Sequence, residues 1–206
     1  MTSTTASKDL SLTTRLKPFL RMRKAELTLG EVVARMDGDD GLGPSLFVLT
    51  LPVLLPLPPG VSMVLALPLL FVALQIVVGR RRLWLPKGLR RHAVKRDALV
   101  KLLKRILPIL ERAEQIVHPR LFALTGGVGA RMIGIACTLI AIVLILPIPF
   151  ANLVPAIAMG VFAVGLTRRD GVVVLAGYGL VALAVVVVIL GIHGIGFGIG
   201  ELRSRF

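Results

Sequence analysis

The sequence predicts an all-α membrane protein. It is organised around two proline-broken helical segments, with amphipathic interfacial helices beside them and a C-terminal transmembrane helix. Three observations predict this. Three runs without a charged residue, 45–79, 132–167 and 171–192, are each long enough to reach across a bilayer. Two of them carry prolines in mid-run, at Leu55-Pro56-Leu57-Pro58-Pro59-Gly60 and at Leu146-Pro147-Ile148-Pro149. The basic residues flank the runs, as they do on the cytoplasmic side of membrane proteins.

Composition agrees. The 206 residues are 55% hydrophobic, and the mean hydropathy is +0.86. The net charge of +14 does not point to nucleic acid, because one tryptophan and one tyrosine are too few for a base-stacking surface. Cys137 is the only cysteine, so neither an internal disulfide nor a cysteine metal cluster is expected. No apolar stretch precedes Leu42, so no cleavable signal peptide is expected and the N-terminus is placed in the cytoplasm.

Residues 1–27 read as a flexible basic N-terminus. Residues 28–200 read as a single helical membrane domain and 201–206 as an interfacial tail. Thr28-Leu29-Gly30-Glu31 is a capping box, and Leu29, Val32, Val33 and Met36 then repeat at helical spacing. A short amphipathic helix over 28–37 follows, ended by Asp37-Gly38-Asp39-Asp40-Gly41. That acidic turn matches the DxD of sugar-nucleotide transferases, but no strand–helix alternation surrounds it. A calcium loop would need a closing glutamate, which is missing. A solvated turn remains.

The run 45–79 as one helix would measure roughly 50 Å, against a hydrocarbon core of about 30 Å. It must bend, and Pro52, Pro56, Pro58 and Pro59 place the bend in its first third. A re-entrant hairpin followed by a spanning helix fits; so do two short arms meeting at mid-depth. Proline removes backbone donors, and in hydrocarbon the freed groups must be buried in protein or line a watery cavity. Gln75 is the most polar residue of the second arm. It either bonds a neighbour or stands in a pathway.

Residues 80–120 hold thirteen Lys and Arg against Asp97, Glu111 and Glu114. Trp84-Leu85-Pro86 suits an interfacial anchor. From Asp97 a stripe of Leu99, Leu102, Leu103, Ile106, Ile109, Leu110, Ala113, Ile116 and Val117 marks an amphipathic helix, packed on the membrane surface or on the bundle. The basic segment 80–112 is a candidate for anionic lipid. Gly126-Gly127-Val128-Gly129 lacks the Lys and Ser/Thr of a phosphate loop. It reads as a flexible re-entry into the membrane.

Shifting the chain by 91 residues lays Leu55-Pro56-Leu57-Pro58 on Leu146-Pro147-Ile148-Pro149, and Phe71 on Phe162. Repeat 1 covers about 28–82, a basic linker 83–120, and repeat 2 about 121–192. Pro-interrupted apolar segments at corresponding positions point to a transporter-like inverted repeat. Its broken segments would enter from opposite faces and bind an ion or small solute where they meet. Candidate binding residues are Pro58 and Pro149 at the breaks, with Ser62, Gln75 and Asn152. Glu114, Arg120 and Asp170 flank the runs and could add charge; alternatively Glu114 pairs with Arg120, and Asp170 caps the helix that starts at Gly171. Polar backbone in two broken hairpins would also suit a homodimer. No cofactor is expected, since the three histidines, His92, His118 and His193, are too scattered for a metal.

Several of these residues together resemble a known family. They are Leu29-Gly30-Glu31, Leu55 through Ser62, Gln75 with Gly79-Arg80-Arg81, Trp84-Leu85-Pro86, Glu114 and Pro119-Arg120. Pro147-Ile148-Pro149 with Asn152 and Pro155, and Arg169-Asp170-Gly171, complete the set. In order, from about Thr28 to Gly179, they resemble the ExoD family of exopolysaccharide-synthesis-associated membrane proteins. Ala151 and His118 depart from its pattern. The resemblance implies a multi-pass bacterial inner-membrane protein linked to exopolysaccharide production and to tolerance of alkaline conditions. Nothing in the sequence supports sugar transfer, so an enzyme is not expected. A small transporter or channel-like protein is the leading reading. A non-catalytic scaffold or regulator of an exopolysaccharide synthesis complex is the other.

Overall fold

The computed structural model describes residues 11–21, 26–36, 42–54, 61–80, 83–145 and 152–186. Both proline breaks, including Pro58 and Pro149, lie outside the described residues, as do the acidic turn and the tail.

Among the described residues the fold is all-helical apart from one small ribbon. Helix α1 (Leu12–Arg21) buries Leu12, Leu16 and Phe19, a four-then-three spacing that forms one face. Strand β1 (Glu26–Thr28) pairs antiparallel with β2 (Ala93–Lys95), with Leu27 opposite Val94. Helix α2 (Leu29–Ala34) starts where the capping box puts it: Glu31 N donates to Thr28 Oγ1, and Thr28 N to the Glu31 carboxylate. It stops at Ala34, short of the expected 37.

Helix α3 (Leu42–Thr50) passes into a 3-10 turn, Leu51–Leu54, at Pro52, whose ring removes an amide from the ladder. Every residue of α3 is buried. Helix α4 (Val61–Val77) runs unbroken through Pro68. A short α5 (Lys87–Arg90) and the amphipathic α6 (Arg96–Ile116) follow. After a 3-10 turn, Phe122–Leu124, come α7 (Gly127–Ile145), α8 (Leu153–Arg168) and α9 (Gly171–Val186). Among the described residues only α7 is long and apolar enough to cross a membrane; the other apolar helices are shorter. Among the described residues the long apolar runs are thus divided into shorter arms. The C-terminal helix is described only as far as Val186.

Four arms close a ring. α4 packs on α7 and α3 on α8, while α3–α4 and α7–α8 are neighbours within each half. The contacts at the arm ends set the directions. Arg131 in the second turn of α7 lies against Gly79 just past α4, and Gly134, the eighth residue of α7, against Val77 and Ile76. Gly43, at the start of α3, lies against Thr167 and Ala163 near the end of α8. Both pairs therefore run antiparallel. The two halves also share the 91-residue register seen in sequence. The 3-10 turn after α3 ends at Leu54 and α7 at Ile145, while α4 ends at Val77 and α8 at Arg168.

The starts of α3 and α7 and the ends of α4 and α8 all line one cleft.

The amphipathic layer packs on this ring. α6 contacts α1 and the 3-10 turn after α3, burying Leu99, Leu103, Leu107 and Leu110. On α7, Val128, Met132, Ile135, Leu139 and Ile142 form an exposed stripe at alternating spacings of four and three. In lipid such a stripe is at home, whereas in water it would be a large apolar patch.

Candidate functional site

The polar residues singled out from sequence divide into three groups. Pro58 and Pro149 lie outside the described residues. Ser62 falls in the first turn of α4. Asn152 precedes α8, and its Oδ1 is buried without a hydrogen-bond partner; its side chain does not cap the helix. Ser45 Oγ on α3 is likewise buried and unpartnered. An unpaired buried polar atom forfeits its bonds to water and is costly to keep.

The remaining candidates are occupied in holding the fold. Gln75 is a clamp. Its Nε2 donates to Trp84 O at 2.7 Å and to Phe71 O at 2.9 Å, and its Oε1 accepts Trp84 N at 2.7 Å. The side chain thus fastens the segment after α4 back onto that helix, nine residues on.

Glu114 receives the N-terminus of α1. Its carboxylate accepts Ser11 Oγ, Leu12 N and Thr13 Oγ1, each at 2.7 Å. A carboxylate there satisfies orphan amides and complements the helix dipole. The alternative in which Glu114 pairs with Arg120 is not what these bonds describe.

Asp170 takes the capping role. Its Oδ1 accepts Val172 N at 2.8 Å at the start of α9, and its Oδ2 accepts His118 N at 3.0 Å. Gly171 N donates to Arg120 O at 2.7 Å, so Arg120 joins Asp170 through a backbone bridge while its side chain is exposed. Arg168 Nη2 donates to Glu114 O at 3.0 Å. Glu114, Arg120 and Asp170 do meet, but as a junction between α6 and the α8–α9 turn.

Sequence reasoning passed over the cleft. It encloses about 910 Å³ where the four arm ends converge. Arg80 follows α4, Arg169 follows α8, and Arg131 projects from the second turn of α7. The Nε and Nη2 of Arg131 stand 3.7 Å from where a Cβ on Gly79 would be. Gly79 itself has φ +76°, a left-handed turn that suits glycine. No carboxylate is among the described residues that line the cleft. The available signal was that both second arms are followed by arginines, Arg80 after α4 and Arg169 after α8. Among the described residues, no three of His, Cys, Asp or Glu are grouped to hold a metal.

The family described as "Exopolysaccharide synthesis, ExoD" matches residues 12–190. Protein ExoD of Rhizobium meliloti is 32% identical over 191 residues, covering 90% of this chain and 78% of that protein. A Synechocystis sp. protein, "Uncharacterized protein slr1875", is 33% identical over 161 residues, covering 77% and 76%. No solved structure matches the chain.

Proposed function

The chain belongs to the ExoD family, and from that premise we propose that it is a multi-pass bacterial inner-membrane protein, linked to exopolysaccharide synthesis, that passes an ion or small solute. The link to exopolysaccharide rests on the family description and on the name of the Rhizobium relative. Tolerance of alkaline conditions belongs to the same reading, because ion balance governs both pH homeostasis and polymer production. Transport in place of sugar chemistry is the reading that suits Glu114 and Asp170. Both carboxylates are spent on backbone and hydroxyl donors.

The observation that carries the proposal is the ring of four arms. Apolar helices in matching 91-residue register pack across the two halves, and Ser45 and Asn152 bury unpartnered oxygens within it. Such polar atoms in an apolar bundle are expensive and tend to serve a pathway. The basic cleft end takes the cytoplasmic side by the positive-inside rule, together with the N-terminus.

The test is flux in liposomes under proton, sodium and amino-acid gradients. Wild-type protein should carry at least one of them. Asn152→Leu and Ser45→Ala should reduce that flux and leave thermal unfolding unchanged or improved. Folded protein without flux would remove the reading.

One observation favours a second reading, a non-catalytic scaffold or regulator of a synthesis complex. α6 is held against α1 and presents exposed Lys101, Lys104, Arg105 and Arg112. This face suits anionic lipid or an acidic partner. Neutralising it should then abolish partner co-purification and spare flux. A homodimer belongs to either reading, and crosslinking in native membranes tests it.

A further inference from the structure

We propose that the outer face of α6 lies on the anionic membrane surface, with Ile109 and Ile116 entering the acyl boundary and the cations around them on lipid phosphates. The inference deepens the second reading, on whose basic face it rests, and commits that face to lipid. It does not require flux.

The face is fixed by the spacing within one helix. Lys101, Arg105, Ile109, Arg112 and Ile116 follow one another at intervals of four, four, three and four, so they share one side of α6. All five are exposed. The opposite side carries Leu99, Leu103, Leu107 and Leu110, which are buried. An amphipathic helix packed on a protein in water keeps its outer side polar. Here Ile109 is 64% exposed and Ile116 74%. One such isoleucine would need no explanation. Two of them on a line of three cations make the composition of a helix lying in a membrane interface. The Lys and Arg stems are long enough to carry their charge past the isoleucines to the headgroups. Glu111, at the edge of this face, is paired with Lys17 of α1 at 3.1 Å, and Glu114 is taken up by the start of α1.

Contacts set the end of α6 where the lipid-facing stripe begins. Arg168 Nη2 donates to Glu114 O and His118 N to Asp170 Oδ2, so the last turn of α6 stands beside the end of α8. The start of α7 lines the same cleft as that end of α8. From there the exposed stripe of α7 runs from Val128 to Ile142. Leu121 and Phe122, between Ile116 and Val128 in the chain, are exposed as well. Trp84 is exposed and fastened to Gln75 near the end of α4, which lines that cleft too, and indole suits the level of the headgroups. A leaflet is present wherever α7 is embedded, and each Lys or Arg near an anionic one strengthens attachment about fivefold.

The experiment uses the full chain in vesicles of phosphatidylcholine, with and without phosphatidylglycerol. A polarity-sensitive fluorophore is attached to Ile116→Cys, and in a second protein to Ile109→Cys. Cys137 is buried and leaves the labelling specific. Doxyl-labelled lipid quenches a fluorophore in the acyl region; acrylamide quenches one in water. With phosphatidylglycerol the lipid quencher should reach both labels and acrylamide should not. Lys101→Gln, Arg105→Gln and Arg112→Gln should each lower the ratio of lipid to water quenching about fivefold. Salt at about 1 M should lower it too, by screening.

Equal acrylamide quenching with and without phosphatidylglycerol overturns the proposal. So does lipid contact that survives all three neutralisations together, since charge would then play no part. Labels shielded in native membranes but open to acrylamide in phosphatidylglycerol vesicles would assign the face to a protein partner and overturn it as well. A fluorophore on Leu139→Cys in the same vesicles separates this proposal from the embedded ring. Lipid contact at 116 without contact at 139 keeps the α6 surface and removes the ring; contact at 139 without contact at 116 does the reverse.

Discussion

Gly134 lies against the backbone of Val77: a Cβ added to it would stand 2.7 Å from the Val77 nitrogen. Gly43, 91 residues before Gly134, makes a like contact with Thr167, where a Cβ would meet Oγ1 at 2.5 Å. Lipid offers little hydrophobic drive for helices to associate, so close backbone approach at small residues has to supply it. The two glycines therefore stand where the halves of the ring are joined.

Gly134→Val should consequently destabilise the chain by about 1–3 kcal/mol, the usual cost of overpacking. Gly43→Val should do the same at the other α–α contact. Gly160→Ala is the contrast, because nothing lies within 4 Å of a Cβ there. It should be neutral or slightly stabilising, through helix propensity. Thermal unfolding in one detergent compares all three, and equal behaviour of Gly134→Val and Gly160→Ala would refute the close-packing argument.

Gln75→Leu should free the segment after α4. It removes both bonds that hold the Trp84 backbone and costs about 1–3 kcal/mol if those groups stay dry. Trp84 is the only tryptophan, so its fluorescence reports the segment without labelling. Anisotropy should fall in Gln75→Leu, and Gln75→Glu should restore part of it through Oε1. Unchanged anisotropy would mean that Leu83 and Leu85, both buried, hold the segment unaided.

Glu114→Ala should undock α1. Three donors lose their acceptor, and a helix cap is typically worth about 1 kcal/mol, rising to about 2. Amide exchange in residues 12–21 should accelerate roughly tenfold or more, at about 1.4 kcal/mol per decade. Lys17→Ala breaks the exposed Lys17–Glu111 pair at 3.1 Å and should change exchange little, since surface pairs contribute about 0–1 kcal/mol. If Lys17→Ala matched Glu114→Ala, general charge and not the cap would be holding the helix.

Local chemistry was the legible part of this chain. Thr28 and Glu31 announce their helix because the capping box is complete within four residues. Asp170 announces its own, because its acceptor role falls on Val172, two residues on. The amphipathic stripe from Leu99 predicted α6 almost to its ends. What was hidden depends on distant partners. Glu114 acts on residues about a hundred positions away, and Gln75 binds backbone, which leaves no side-chain signature. Three-residue strands such as Ala93–Lys95 are too short to show a period of two. The cleft was hidden because its lining residues come from elements far apart in sequence.

Cysteine labelling decides whether the exposed stripe of α7 faces lipid. The native chain gives a silent background, because its one cysteine, Cys137, is buried. Leu139 on the same helix is 60% exposed, so a cysteine placed there is sterically open to any reagent that reaches it. In native membranes Leu139→Cys should resist a water-soluble maleimide, since a thiol in hydrocarbon neither ionises readily nor meets the reagent. Lys104→Cys, on the exposed basic face of α6, should react fast in the same preparation. Detergent should bring both positions to comparable rates, showing that lipid and not protein shielded Leu139. Rapid labelling of Leu139→Cys before detergent is added would place the stripe in water, and the membrane-embedded ring would have to be abandoned.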